Sequence, residues 1–195
     1  ENINLTWYGG EPLLQYKRVI SLAKRIEQLG LNINENLLIT NGYFFTPEII
    51  KELVDAKITE IQITLDGFKE IHDIRRPLAN GKGTFDTIIE NLDNYYNSSF
   101  RDAFAIAIRV NIDNRNYKSF IDIYKWLNDR YKSKRLIVYP GVVVLDENDC
   151  NASTCLSRNA VTDIVLDLFT KYGIITEELY PDDVNIECMT RSPYS

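Results

Sequence analysis

Residues 104–113, Phe-Ala-Ile-Ala-Ile-Arg-Val-Asn-Ile-Asp, alternate between two kinds of side chain. On an extended chain Phe104, Ile106, Ile108, Val110 and Ile112 fall on one side, and Ala105, Ala107, Arg109, Asn111 and Asp113 on the other. Residues 61–66 set Ile61, Ile63 and Leu65 against Gln62, Thr64 and Asp66, and residues 3–8 set Ile3, Leu5 and Trp7 against Asn4, Thr6 and Tyr8. These segments alternate with helix-like ones, and five β/α units in a row call for a parallel sheet. A parallel sheet covered by helices on both faces reads as nearly all apolar. Strands with one apolar and one polar face therefore argue for a curved sheet with helices outside and a polar ligand inside. A closed eight-stranded barrel needs more strands than the chain supplies. The expected fold class is α/β, an open, partial TIM-like barrel.

The strands are expected at 3–8, 37–41, 61–66, 104–113 and 136–145, with Pro140-Gly141 marking a bulge or kink in the last. Between them, 13–29 reads as a helix, with Tyr16, Val19, Ala23 and Ile26 at helical spacing and Gly30 as its C′ residue. Thr46-Pro47-Glu48 opens a second helix with an N-cap residue, a proline at the first position and an acid near the positive dipole end. Residues 67–83 read as irregular and charged. Thr84 caps a helix with Phe85, Ile88, Ile89 and Leu92 on one face, and 117–131 is a further helix built on Phe120, Ile123, Tyr124 and Leu127. Residues 146–156 read as a polar loop. Ser157 caps a last helix that Gly173 stops, and 177–195 has no period.

Composition excludes several functions. The 195 residues carry a net charge of −6, with 45% hydrophobic and 26% charged residues, so the chain has material for a sizeable core and lacks the basic stripe of a nucleic-acid binder. Lys132-Ser133-Lys134-Arg135 reads as a solvated loop. No apolar run reaches the ~20 residues that span a bilayer. Three cysteines make no disulfide framework and fit a reducing cytoplasm. The expected partners include neither nucleic acid nor membrane.

The chemistry-bearing residues gather at strand ends. Gly9-Gly10-Glu11-Pro12 follows the first strand, Thr40-Asn41-Gly42 ends the second, Thr64-Leu65-Asp66-Gly67 ends the third, and Arg109-Val110-Asn111 lies near the end of the fourth. Each has a plain structural reading: a tight turn, an Asx-turn at Asn41, a turn at Asp66-Gly67, a buried ion pair at Arg109. Convergence of all four on one rim, at the carboxyl ends where α/β sheets bind ligands, favours a single site. Arg75 and Arg76 read as a loop-anchoring pair, and His72, the one histidine, as a packing or capping residue. Cys150 and Cys155 read as free thiols.

The order Trp-Tyr-Gly-Gly-Glu-Pro-Leu-Leu, then Thr-Asn-Gly, then Gln-Ile-Thr-Leu-Asp-Gly with His-Asp and Arg-Arg-Pro, then Gly-Thr-Phe-Asp-Thr-Ile-Ile-Glu-Asn-Leu, resembles the radical S-adenosylmethionine (SAM) superfamily. More narrowly it resembles the SPASM-type peptide and sulfatase maturases. The resemblance covers residues 3–113 strongly. It implies a partial (β/α)6 barrel whose strands two to six are present here, residues 1–176 forming the core barrel and 177–195 the start of a SPASM-type extension. The family's Cys-x3-Cys-x2-Cys loop, which holds a [4Fe–4S] cluster on the first β/α unit, is absent from the sequence, and the expectation is that this unit precedes Glu1 in a longer protein.

Carried over position by position, the resemblance assigns Gly9, Gly10 and Glu11 to the amino group of SAM, mostly through backbone carbonyls. It assigns Arg109 to the SAM carboxylate, and Asn41, Thr64 and Asp66 to the ribose and methionyl side. Cys188 matches the first cysteine of the SPASM extension, a ligand of an auxiliary iron–sulfur cluster. The implied enzyme reduces SAM with one electron from a donor and modifies a peptide or protein substrate through a 5′-deoxyadenosyl radical, with no catalytic residue assigned in this sequence. The fragment alone is expected to be inactive. The rival reading is a cluster-less barrel that binds a peptide or partner without catalysis. A lyase or aldolase would need a lysine or a metal cluster at the rim, and the sequence offers neither.

Overall fold

The computed structural model describes residues 2–142, 156 and 158–174. The chain divides into two compact units, Glu1–Gly141 and Val142–Ser195. The first carries the sheet. Its strands are β1 (Asn2–Trp7), β2 (Asn32–Thr40), β3 (Glu60–Leu65), β4 (Ala105–Ile112) and β5 (Leu136–Val142). They lie side by side in the order β1-β2-β3-β4-β5 as a parallel, open sheet. The helices are α1 (Tyr16–Gln28), α2 (Pro47–Asp55), α3 (Lys69–Arg75), α4 (Phe85–Tyr96) and α5 (Phe120–Tyr131). The second unit contributes α6 (Arg158–Tyr172), which Gly173 stops with a φ of 66°.

Sequential strand order decides the architecture. Right-handed crossovers that always advance in one direction place every helix on the same face, and a doubly wound sheet would reverse its order. Burial agrees: Ile61, Ile63, Leu65, Ile106, Ile108 and Ile112 are all 0% exposed. The side chains between them, Gln62, Thr64, Arg109 and Asn111, are half-buried or exposed. The α/β open partial barrel expected from the strand alternation is the observed fold.

Three local expectations need correction. β2 starts at Asn32 rather than 37. Its polar first half hides the strand, because Asn36 is buried for hydrogen bonding and not for apolar contact. Asn36 Oδ1 accepts from Trp7 Nε1 (2.7 Å), Asn36 Nδ2 donates to Lys57 O (3.1 Å), and Asn36 N donates to Thr59 Oγ1 (2.9 Å). The stretch 67–83 contains α3, whose two turns are too short to show a period. Thr84 occupies the N-cap position of α4 without capping it by its side chain. Asp73, on α3, does that work: its Oδ1 accepts from Thr84 N (2.8 Å) and Phe85 N (2.9 Å). Burial works against the Asp73 charge, but the Phe85 and Thr84 N–H groups and nearby Lys69 outweigh it and hold the carboxyl below its ordinary range. Ser157, Cys150, Cys155, Cys188 and the boundary at 176/177 lie outside the described residues.

Candidate functional site

The carboxyl ends of β1 to β4 form one edge, and the polar residues read from the sequence meet there in two distinct arrangements. The first faces the chain itself. Glu11 follows β1 by four residues and spends its carboxylate on its neighbours. Oε1 accepts from Leu13 N (2.9 Å) and Thr40 Oγ1 (2.6 Å), and Oε2 accepts from Asn41 N (2.7 Å). Asn41 Oδ1 closes an Asx-turn on Tyr43 N at 2.8 Å.

Asp66, one residue beyond β3, is 5% exposed and takes Arg76 Nε on Oδ2 at 2.6 Å. Its backbone N–H donates to His72 Nδ1 (3.2 Å). His72 is fully buried, and its Nε2 lies 3.0 Å from Thr84 Oγ1. The Thr84 hydroxyl donates to Arg76 O (2.8 Å), so it accepts from Nε2. These partners fix a neutral imidazole with its proton on Nε2. Burial foremost, with Arg76 beside it, pushes the His72 pKa below its ordinary value, against the opposing pull of Asp66 and Asp73.

Asn116 stitches the ends of β3 and β4 together. Its Nδ2 donates to Asp66 O and Asn111 O, both at 2.8 Å, and its Oδ1 accepts from Asp113 N at 2.7 Å. Asp113 does not join the open face with Arg109. It lies past the end of β4, 5% exposed, and its carboxylate takes Arg75 Nη2 (2.8 Å) and Arg115 Nη2 (2.7 Å). Arg75 and Arg76 thus anchor their loop, as the sequence suggested.

The second arrangement faces outward. Thr64 and Arg109 are register partners on β3 and β4, on the sheet face that the helices leave open. Among the described residues Arg109 makes no ion pair and no hydrogen bond. Gly141 of β5 gives it room: a Cβ there would sit 2.2 Å from Arg109 Nε and 2.7 Å from Asn111 Oδ1. Gly141 is therefore a close-approach glycine. Lower on the same face Tyr139 Oη donates to Gln62 Oε1 (2.9 Å), a link across β4 over Ala107. Gly9 and Gly10 are exposed, with φ of 112° and 52°. A Cβ at either would meet nothing within 4 Å, so backbone conformation, not crowding, calls for glycine.

Asn116 and Tyr139 were not singled out from sequence, and Thr40, Gly141 and Gln62 were named there without the roles they take here. Each has a partner 29 to 77 residues away, and these long-range contacts leave no short-range pattern.

A guanidinium without a partner and a glycine pair with accessible carbonyls suit a ligand bearing a carboxylate and an ammonium. The residues therefore fit the amino-acid end of SAM. They do not fit an iron–sulfur cluster. No cysteine falls among the described residues, and none of their His, Asp or Glu side chains group in threes to hold a metal.

The fold and edge define a class, the singly wound partial (β/α) barrel with polar residues gathered at its carboxyl ends. Comparison with known proteins is specific. Residues 3–127 match the family model of the radical SAM superfamily, and the chain belongs to that superfamily. It is 38% identical over 110 residues to the mycofactocin maturase MftC of Mycolicibacterium smegmatis, an alignment covering 54% of this chain and 26% of that protein. It is 32% identical over 96 residues to a cysteine-type anaerobic sulfatase-maturating enzyme of Clostridium novyi, covering 47% of this chain and 25% of that enzyme. The chain thus spans about a quarter of the length of these relatives. Among solved structures, native anSMEcpe with bound AdoMet superposes with a TM-score of 0.69 at 21% identity, over 88% of this chain and 46% of that one. The same protein with bound AdoMet and Kp18Cys peptide gives a TM-score of 0.66 at 20% identity. At such identities the structural likeness speaks to fold.

No helix among the described residues is long and apolar enough to cross a membrane.

Proposed function

We propose that this chain is the SAM-binding part of a radical SAM enzyme that modifies a peptide or protein substrate. The observation that carries it is Arg109, without a partner among the described residues, beside Thr64 on the open sheet face. In this reading the Arg109 fork takes the SAM carboxylate, Thr64 supplies a hydroxyl beside it, and the carbonyls of Gly9 and Gly10 accept from the ammonium. Glu11 acts through its backbone and holds the glycine turn against β2. Asn41 and Asp66 stand at the ends of the neighbouring strands, on the ribose and methionyl side. SAM held here would supply, on one-electron reduction with release of methionine, the radical chemistry that removes hydrogen from the substrate. The [4Fe–4S] ligands come from outside these 195 residues, as the sequence contains no Cys-x3-Cys-x2-Cys loop, and Cys188 serves an auxiliary cluster. Maturase relatives and a peptide-bound structure of similar fold support a peptide as the substrate class.

Calorimetric titration with SAM tests the site. Arg109→Ala should weaken binding by about 1.5–3 kcal/mol, the size of a hydrogen bond to a charged group. Unchanged affinity removes Arg109 from the site.

A further inference from the structure

A cavity of about 150 Å3 opens on the helix side of the same edge, between the turn after β2 and the loop joining α3 to α4. A dry cavity of roughly this size takes a benzene-sized group, so it accommodates about six heavy atoms. Phe44, Leu78 and Ile88 give it apolar walls, and Asn41, Tyr43 and Arg76 contribute polar ones.

The polar set is biased toward donors. Arg76 uses only Nε on Asp66, and its two terminal nitrogens make no hydrogen bond among the described residues. The Asn41 amide nitrogen and the Tyr43 hydroxyl likewise have none, since Asn41 spends its oxygen on Tyr43 N. His72 and Thr84 also border the cavity, but their polar atoms satisfy each other. Convergent donors with a guanidinium edge to spare, above apolar walls, suit a carboxylate on a short aliphatic stem.

Resting on the reading that the substrate is a peptide, we infer that this cavity anchors a carboxylate of that peptide next to the SAM site, with Asn41 at the border of the two. An acidic side chain and a chain-terminal carboxylate share the chemistry.

Nitrogen-15 NMR titration of the full chain tests the inference with defined probes. N-acetylglutamate N-methylamide should shift the amides of Tyr43, Arg76 and Leu78. Its glutamine analogue should bind at least about ten-fold more weakly. N-acetylalanine presents a terminal carboxylate instead, and the tighter of the two acids identifies the source. Tyr43→Phe keeps the ring and removes one donor, and it should weaken the acid probe by about ten-fold. Arg76→Lys keeps the charge and loses the fork, with at least as large a loss. Equal binding of the glutamate and glutamine probes, shifts elsewhere, or indifference to both substitutions overturns the inference. SAM titrated into the same sample should shift Thr64 and Arg109 instead. If SAM binds and the acid does not, the cavity assignment alone fails; if SAM does not bind, the SAM-site reading fails.

Discussion

The carboxyl edge of the sheet holds two polar populations that look alike in sequence and differ in every physical respect. Behind the edge, Asp66, His72, Asp73, Asp113 and Asn116 form one network, and Glu11 with Leu13, Thr40 and Asn41 a second, in which the chain supplies its own partners. On the open face, Thr64 and Arg109 stand on paired strands, and Arg109 has no partner among the described residues. The first population is what a fold requires when several loops with exposed backbone groups converge, since buried polar groups left unpaired are costly. The second is what a ligand requires. Substitutions in the network should change stability, and substitutions on the open face should change affinity.

The largest expected effect is His72→Ala. It removes a fully buried side chain, the acceptor for Asp66 N and the partner of Thr84 Oγ1, and leaves a cavity beside Phe85. The loss should be about 3–5 kcal/mol, read by chemical denaturation. Glu11→Gln should follow, at about 1.5–3 kcal/mol. One oxygen of the amide cannot serve all three donors, and its NH2 group would confront a backbone N–H. Little change in either variant would mean that the network is decoration.

This division explains what was legible in the sequence. The strand alternation at 61–66 and 104–113 encodes the sheet's two faces, and hence the one-sided helix layer, because burial of one face is a local property of a strand. The site edge was legible too, since every strand end delivers polar residues or glycines in chain order. Which of those residues stay free was not. Asp66, one residue beyond β3, and Arg109, three residues before the end of β4, both read as candidates near a strand end. Arg76, ten residues on from Asp66, neutralises it, whereas no charged or hydrogen-bonding partner among the described residues meets Arg109. Asp113 seemed to continue the polar face of β4, yet Arg75, 38 residues earlier, pairs with it. Partner choice across loops is set by tertiary geometry, and α3, which carries three of the partners, was too short to betray itself.

Arg109→Ala sharpens the comparison from the other side. With no partner to orphan, it should leave stability within about 0.5 kcal/mol while SAM affinity drops by the amount given above. Gly141→Ala leaves Arg109 in place chemically but puts a methyl where its Nε and Cγ lie. The guanidinium must swing aside. SAM affinity should fall by about three- to ten-fold, roughly 0.7–1.4 kcal/mol, with a smaller loss of stability, since the methyl displaces the exposed Arg109 side chain and the Asn111 amide oxygen 2.7 Å away. A stability loss exceeding the affinity loss would place Arg109 among the structural residues.

The smallest effect is a pH dependence confined to the network. His72 is the chain's one histidine, and its folded pKa is depressed. Above the unfolded value of about 6.5 both states are neutral, and its contribution to stability is fully present. As pH falls through 6.5 the unfolded chain binds a proton that the folded chain refuses, so stability drops until the folded pKa is reached. Asp73 and Asp113, both held below the ordinary range, lose their contributions only below about pH 4. Glu60, whose carboxyl is raised by burial and by Glu35, acts in the opposite sense, gaining stability as pH falls. Between about pH 7 and 5 the denaturation midpoint should therefore decline with acid in the unsubstituted chain. In His72→Gln, which retains polar atoms but cannot titrate, that limb should flatten. A limb that survives the substitution would mean that other groups control acid sensitivity, and that the closed network is not where the protein senses protons.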